Sequence, residues 1–161
     1  MRPTFLLFGF LVAACGQSGP PTRGVAVTFE AACDKANLGK RLMLEGFVDY
    51  PVSGYDDKAA TVMLRLRARL ASWENTVGAS AKLGHEANSV ENPPEQYKND
   101  YKNRDLRLHL NDGRVVGYSN KVKVSGTMYY TSAPGPGAYT CGLANTLYEI
   151  GSGFQPVPKW R

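Results

Sequence analysis

Basic residues that alternate with apolar residues are the side chains in this sequence best suited to binding a charged ligand. Arg65, Arg67 and Arg69 alternate in the run TVMLRLRARL, and the other basic residues of this kind are Arg107, His109, Lys121 and Lys123. Alternate residues of a β-strand point to the same side, so each run predicts a basic row on the outer face of a sheet. If these rows merge, they form a surface that attracts phosphates and other polyanions. The alternative is that the cations only keep the sheet soluble and discourage edge pairing.

Recognisable catalytic and metal-binding motifs are absent from the sequence. It contains no HExxH, GxSxG, P-loop or paired CxxC motif. His85 lies in a polar stretch and His109 on the outward side of a predicted strand, so both imidazoles are expected to be solvated. We therefore expect no catalytic residue, no metal and no cofactor, and a protein that is not an enzyme. The alternative is an active site assembled from loops.

The N-terminal residues predict export. The apolar run from Phe5 to Ala14 is too short to span a bilayer and follows Arg2, as in a secretory signal. Residues 12–15, Val-Ala-Ala-Cys, resemble the lipobox of bacterial lipoprotein signal peptides. The resemblance implies acylation of Cys15 and attachment to membrane lipid, and Gly16 favours the outer over the inner membrane. An ordinary secretory signal that leaves Cys15 as a free thiol is the alternative.

Cys33 and Cys141 are the two remaining cysteines. Lipidation of Cys15 would leave an even number, and an oxidising compartment favours a disulfide between them over a metal site. The bond would close a loop of about 100 residues, for which chain entropy predicts a stabilisation of about 4.7 kcal/mol as an upper figure. Two buried free thiols are the alternative.

The remaining pattern predicts an all-β fold with one short N-terminal helix. Thr28 can cap a helix that stops at Gly39, and Asn-Asp-Gly at 111–113 is a hairpin signal. Predicted strands cover residues 40–50, 61–70, 76–83, 106–110, 114–116, 121–130 and 140–150. Counting 106–110 and 114–116 as one hairpin, five or six short strands with one capping helix favour a small closed barrel over a two-sheet sandwich.

Three stretches of the sequence together resemble the OB fold. They are GKRLMLEGFVDYP, the NDG turn leading into SNKVKVSGTM, and the last strand ending in LYEI. The likeness is to the tRNA-anticodon-like OB domains of exported bacterial lipoproteins and covers roughly residues 28–150. It implies a five- to six-stranded barrel. The predicted organisation is a signal peptide (1–14), a flexible tether (15–27) and an OB-fold domain (28–161) with an insertion at about 85–103 and an extended tail at 151–161.

These patterns predict an exported, lipid-anchored binding or scaffolding module of the bacterial cell envelope. Its partners would be membrane lipid through Cys15 and, at the basic residues, an envelope polyanion or a partner protein. The alternative is an oligonucleotide- or oligosaccharide-binding protein that uses the basic face of the barrel. Nucleic acid fits less well, because residues 61–72 contain no aromatic side chain on which a base could stack.

Overall fold

The computed structural model describes residues 21–50, 61–70, 74–91, 105–131 and 141–157. These residues form helix α1 (Phe29–Ala32) and strands β1 (Val25–Ala26), β2 (Arg41–Asp49), β3 (Thr61–Arg67), β4 (Val77–Leu83), β5 (Ser89–Val90), β6 (Leu108–His109), β7 (Val115–Val116), β8 (Lys121–Tyr130) and β9 (Cys141–Ile150). The predicted signal peptide, Cys15 and the first part of the tether lie outside the described residues, as do residues 92–103 of the predicted insertion and the last residues of the tail. Within the described ranges, no helix is both long enough and apolar enough to cross a membrane.

Five long strands close into a barrel. Strand β2 pairs antiparallel with β3 on one side and with β8 on the other. Strand β3 also pairs antiparallel with β4, and β8 pairs antiparallel with β9. A short parallel contact between β4 and β9, in which Gly78 lies opposite Gly142 and Ala79 opposite Leu143, closes the ring. This five-stranded barrel has the architecture of the OB fold, so the predicted fold class is confirmed.

Alternating apolar residues fill the barrel interior. In β3, for example, Val62, Leu64 and Leu66 point inward and are buried. Tyr148 of β9 is the largest fully buried side chain among the described residues, and its hydroxyl donates a hydrogen bond of 2.8 Å to the carbonyl oxygen of Ser80. Burial of alternate residues on every long strand is the main stabilising contribution to the fold.

The N-terminal helix is shorter than the sequence predicts. Thr28 caps α1 as expected, but the carboxylate of Asp34 caps a separate 3-10 turn at Lys35–Asn37. A side chain that bonds the backbone in this way competes with continuation of the α-helix. The chain then turns at Gly39, whose φ of +73° is in the region that favours glycine.

A disulfide joins the end of α1 to the start of β9. It links Cys33 to Cys141, whose Cα atoms are 5.5 Å apart, as the sequence predicted. The Tyr130 hydroxyl donates a hydrogen bond of 3.0 Å to the Cys33 carbonyl oxygen beside it. The helix is therefore attached to the barrel by a covalent bond as well as by packing.

The chain between β4 and β8 adds three short strands to the barrel. The sequence predicts a polar insertion with at most a turn of helix from about residue 85, whereas β5 forms there and pairs with both β4 and β6. The predicted hairpin is confirmed, because β6 and β7 are antiparallel and Gly113 turns with a φ of +82°. The described part of the tail lies against the barrel, where the Gln155 amide donates a hydrogen bond to Asn120.

Candidate functional site

Arg65 and Arg67 are buried, so the expected solvent-facing arginine row is wrong for both. Asp49 lies opposite Arg65 in the β2–β3 register and receives a hydrogen bond of 3.0 Å from its Nε atom. Arg67 forms an ion pair with the other oxygen of the same carboxylate. Asp49, Arg65 and Arg67 are 0%, 5% and 3% exposed, whereas Arg69 is exposed beyond the end of β3.

The Asp49 carboxylate is the centre of this buried cluster. Burial raises the pKa of Asp49, and the two neighbouring guanidinium groups oppose that shift because they stabilise the charged carboxylate. The arginines of β3 are therefore held by an acid from the neighbouring strand. Alternation in the sequence identifies their shared face but gives no information about the acid that lies opposite.

The remaining predicted basic residues also have acidic neighbours. Arg107, directly before β6, and His109 of β6 both contact the carboxylate of Glu91 at 2.8 Å. His109 is only 14% exposed at its side chain, so the expectation of a solvated imidazole is wrong for this residue. His85, at 76% exposure, is solvated as expected.

Lys121 and Lys123 lie on β8, and Lys121 is on the same side of the sheet as Arg67, because both are opposite Phe47 of β2. Lys123 is opposite Glu45 of β2 and Glu149 of β9, and the Lys121 ammonium lies 5.7 Å from the centre of the Phe47 ring. The β3 and β8 rows therefore lie on one side of the sheet, two strands apart. Because Arg65 and Arg67 are buried against Asp49, the rows do not form one solvent-facing positive surface. A ligand-binding role for these residues stays a prediction.

A cleft of about 780 Å³ opens where β4 and β9 separate. After its short contact with β9, β4 pairs instead with β5, and Asn145 of β9 adopts a φ of +50° at the point of divergence. The Asn88 side chain spans the gap by accepting a hydrogen bond of 2.8 Å from the Tyr148 amide. Polar and cationic residues that line the cleft include Arg41, Thr61, Ser80, Lys82, Asn145 and Thr146.

The cleft has positive charge without an acidic neighbour among its described lining residues. Arg41 donates hydrogen bonds to the carbonyl oxygens of Thr22 and Asn145, the latter at 2.9 Å. Its Nη2 atom is buried and has no hydrogen-bond partner within the described chain. Burial lowers the pKa of Arg41, because it partly removes the charged guanidinium from water. Lys82 supplies a second, exposed cation.

Sequence reasoning missed this cleft, although both cations lie on predicted strands. Lys82 stands alone between Ala81 and Leu83, and Arg41 directly follows Lys40. Neither belongs to a run in which basic and apolar residues alternate, which was the pattern used to predict basic rows. Barrel closure brings Arg41 of β2 to the same opening as Lys82 of β4.

One group of metal-ligating side chains converges within the described ranges. It consists of His85, Glu91 and His109, whose ligand atoms all lie within 4.8 Å of one another. No sequence motif groups them, because they come from three separate segments.

No protein-family model matches the chain, and no curated protein matches it. Among solved structures, the chain is similar to a crystal structure from Leishmania major Friedlin named as an aspartyl-tRNA synthetase, with 12% sequence identity and a TM-score of 0.42. The similarity covers 89% of this chain but only 22% of the other, so the chain spans about a fifth of that protein. The assignment of the OB fold rests on the strand order and not on this similarity.

Proposed function

We propose that this protein is a non-catalytic binding module that holds an anionic ligand in the cleft between β4 and β9. The observation that carries the proposal is the location of the cleft. Thr61 pairs with Lys82 on the outer side of the β3–β4 hairpin, and both residues line the opening. The corresponding face is the one on which OB folds bind oligonucleotides and oligosaccharides.

The chemistry of the lining favours an anionic, hydroxyl-rich ligand such as an acidic polysaccharide of the cell envelope. Arg41 and Lys82 offer charge, and Thr61, Ser80 and Asn145 offer hydroxyl and amide groups. None of the described lining residues is aromatic, so the cleft lacks the stacking surface that single-stranded nucleic acid uses.

We further propose that the protein is exported and attached by lipid at Cys15, with the outer membrane favoured. The Val-Ala-Ala-Cys sequence at residues 12–15 supports this proposal, and the Cys33–Cys141 disulfide is of the kind that persists in oxidising compartments. Mass spectrometry of the chain purified from membranes should find an acylated N-terminal Cys15. Recovery of Cys15→Ser in the same membrane fraction as the unmodified sequence would contradict the anchor.

The ligand proposal is tested by fluorescence anisotropy with the full chain in mild detergent. The probes are labelled dextran sulfate and uncharged labelled dextran, each at low and at physiological salt. We expect dextran sulfate to bind, and Lys82→Gln to weaken binding roughly five-fold, equivalent to about 1 kcal/mol. The matched control is Lys35→Gln, which removes one exposed charge outside the cleft lining. Equal effects of the two variants, or no binding at either salt, would refute the proposal.

An oligonucleotide-binding function is the alternative, and one residue favours it. The Tyr129 ring packs over Gly142, and its hydroxyl reaches the sulfur of Met63 on β3 at 3.7 Å, which leaves a half-buried aromatic side chain near the outer face. A labelled single-stranded oligonucleotide that binds at physiological salt and is weakened by Tyr129→Leu would favour this alternative. Binding at low salt only would indicate non-specific attraction to charge.

A further inference from the structure

Three adjacent segments bring two histidines and one glutamate together beside β5. His85 lies in the loop after β4, Glu91 directly follows β5, and His109 belongs to β6. Strands β5 and β6 pair antiparallel, and the Glu91 amide extends that pairing with a hydrogen bond of 2.9 Å to the Arg107 carbonyl oxygen. Two of the three side chains are therefore positioned by paired backbone.

The distances between the three groups are close to those around a single metal ion. The Nε2 atom of His109 lies 2.8 Å from Oε1 of Glu91, and the Nδ1 atom of His85 lies 4.0 Å from the same oxygen. An ion with bonds of about 2.0–2.2 Å in tetrahedral geometry holds its ligand atoms roughly 3.3 Å apart. To bind one ion, the distance from His109 Nε2 to Glu91 Oε1 must therefore lengthen slightly, and the distance from His85 Nδ1 to the same oxygen must shorten. The exposed ring of His85 can make most of this adjustment.

We propose that His85, Glu91 and His109 bind a divalent transition-metal ion, with Zn²⁺ the best fit. Two imidazole nitrogens and one carboxylate oxygen form a ligand set that zinc accepts, whereas Ca²⁺ and Mg²⁺ prefer oxygen ligands. The His85 side is open to solvent, so water can occupy the fourth coordination position.

Arg107 positions the carboxylate for this role. Its Nε atom donates a hydrogen bond of 2.8 Å to Oε2 of Glu91, so Oε1 is the oxygen directed at both histidines. Outer contacts of this kind orient metal ligands. Because the guanidinium also repels an added cation, we expect the affinity to be lower than that of closed structural zinc sites.

The proposal is tested with the full chain, purified in mild detergent without a histidine tag and stripped of metal by a chelator. Calorimetric titration should detect one Zn²⁺ bound per chain, and Co²⁺ should produce the visible absorption of a four- or five-coordinate site. We expect His85→Ala to lower the affinity at least ten-fold, as loss of a direct ligand should cost no less than loss of an outer contact. Because His85 is 76% exposed, this variant should keep its fold, which circular dichroism can verify.

The matched control is Glu45→Gln, which neutralises an exposed carboxylate on another face of the barrel. It should bind Zn²⁺ as the unmodified sequence does, whereas Glu91→Gln should bind it more weakly. Absence of Zn²⁺ binding by the unmodified sequence would overturn the proposal. Equal binding by His85→Ala would also overturn it, because the ion would then lie elsewhere on the chain.

Discussion

Asp49→Asn is the substitution for which the structure makes the sharpest prediction. Asn has nearly the same volume as Asp, so the change removes one negative charge and leaves the packing in place. Arg65 and Arg67, which are 5% and 3% exposed, would then keep their positive charges next to a neutral amide. Because separating such charges from water is expensive, the folded state should lose much of its stability.

The size of the loss follows from the burial of the cluster. Removal of one partner from a buried ion pair costs about 3–5 kcal/mol, whereas a whole domain is stable by only about 5–15 kcal/mol. We expect the free energy of unfolding to fall by about 3–5 kcal/mol. The control Glu45→Gln removes the charge of an exposed residue on the same strand but keeps an amide oxygen that can accept the hydrogen bond from the Ser152 N–H, so it should cost less than about 1 kcal/mol.

Urea unfolding followed by circular dichroism measures this loss. With a slope of about 1–3 kcal/mol per molar urea, the midpoint for Asp49→Asn should fall by roughly 2 M. The triple variant Asp49→Leu, Arg65→Met, Arg67→Met removes all three charges and should be less destabilised than Asp49→Asn, since replacing a whole buried ionic group with apolar residues is often tolerated. A loss below about 1 kcal/mol for Asp49→Asn would refute the reasoning and indicate that water reaches the arginines.

Three further perturbations test the core, the crosslink and the close packing of β2. Tyr148→Phe should cost about 1 kcal/mol at neutral pH through loss of its hydrogen bond to Ser80. Burial raises the pKa of Tyr148, so above about pH 10 the phenol ionises in the unfolded state but not in the folded one. The free energy of unfolding should therefore fall as the pH rises. In urea titrations this fall should be smaller for Tyr148→Phe, by up to about 1.4 kcal/mol per pH unit. Replacing Cys33 and Cys141 with Ala should lower the free energy of unfolding by about 2–5 kcal/mol, and dithiothreitol should destabilise only the unmodified sequence. Gly46→Ala would push a methyl group into the Arg67 carbonyl oxygen and should cost about 1–3 kcal/mol in thermal or urea unfolding, whereas a neutral effect would show that β3 can shift.

The sequence predicts the barrel because its long strands carry strong local signals. Alternation in residues 61–66 and 121–124, together with the turn at 111–113, depends on neighbours in sequence and is therefore visible without a structure. The disulfide was predictable for another reason, since two cysteines allow only one pairing. Strand β5 could not be predicted, because its two residues, Ser89 and Val90, are too few to show the alternation of apolar and polar residues.

The candidate sites could not be predicted because they depend on contacts distant in sequence. Arg65 is buried through Asp49, which lies 16 residues earlier on the neighbouring strand. His109 contacts Glu91 only because strands β5 and β6 pair. Arg41 reaches Asn145 across 104 residues of chain. In each case the local pattern identifies the side of a strand, and the folded barrel determines what lies against that side.

The covalent bond between Cys33 and Cys141 also determines how the domain responds to mechanical force. The two residues are separated by 108 positions, which correspond to roughly 370 Å of extended chain. A pull applied to the two ends of the chain would pass directly from the Cys33 sulfur to the Cys141 sulfur, and the loop that contains β2 to β8 would carry none of it. Only the segments before Cys33 and after Cys141 can lengthen under such a load until a reductant breaks the bond.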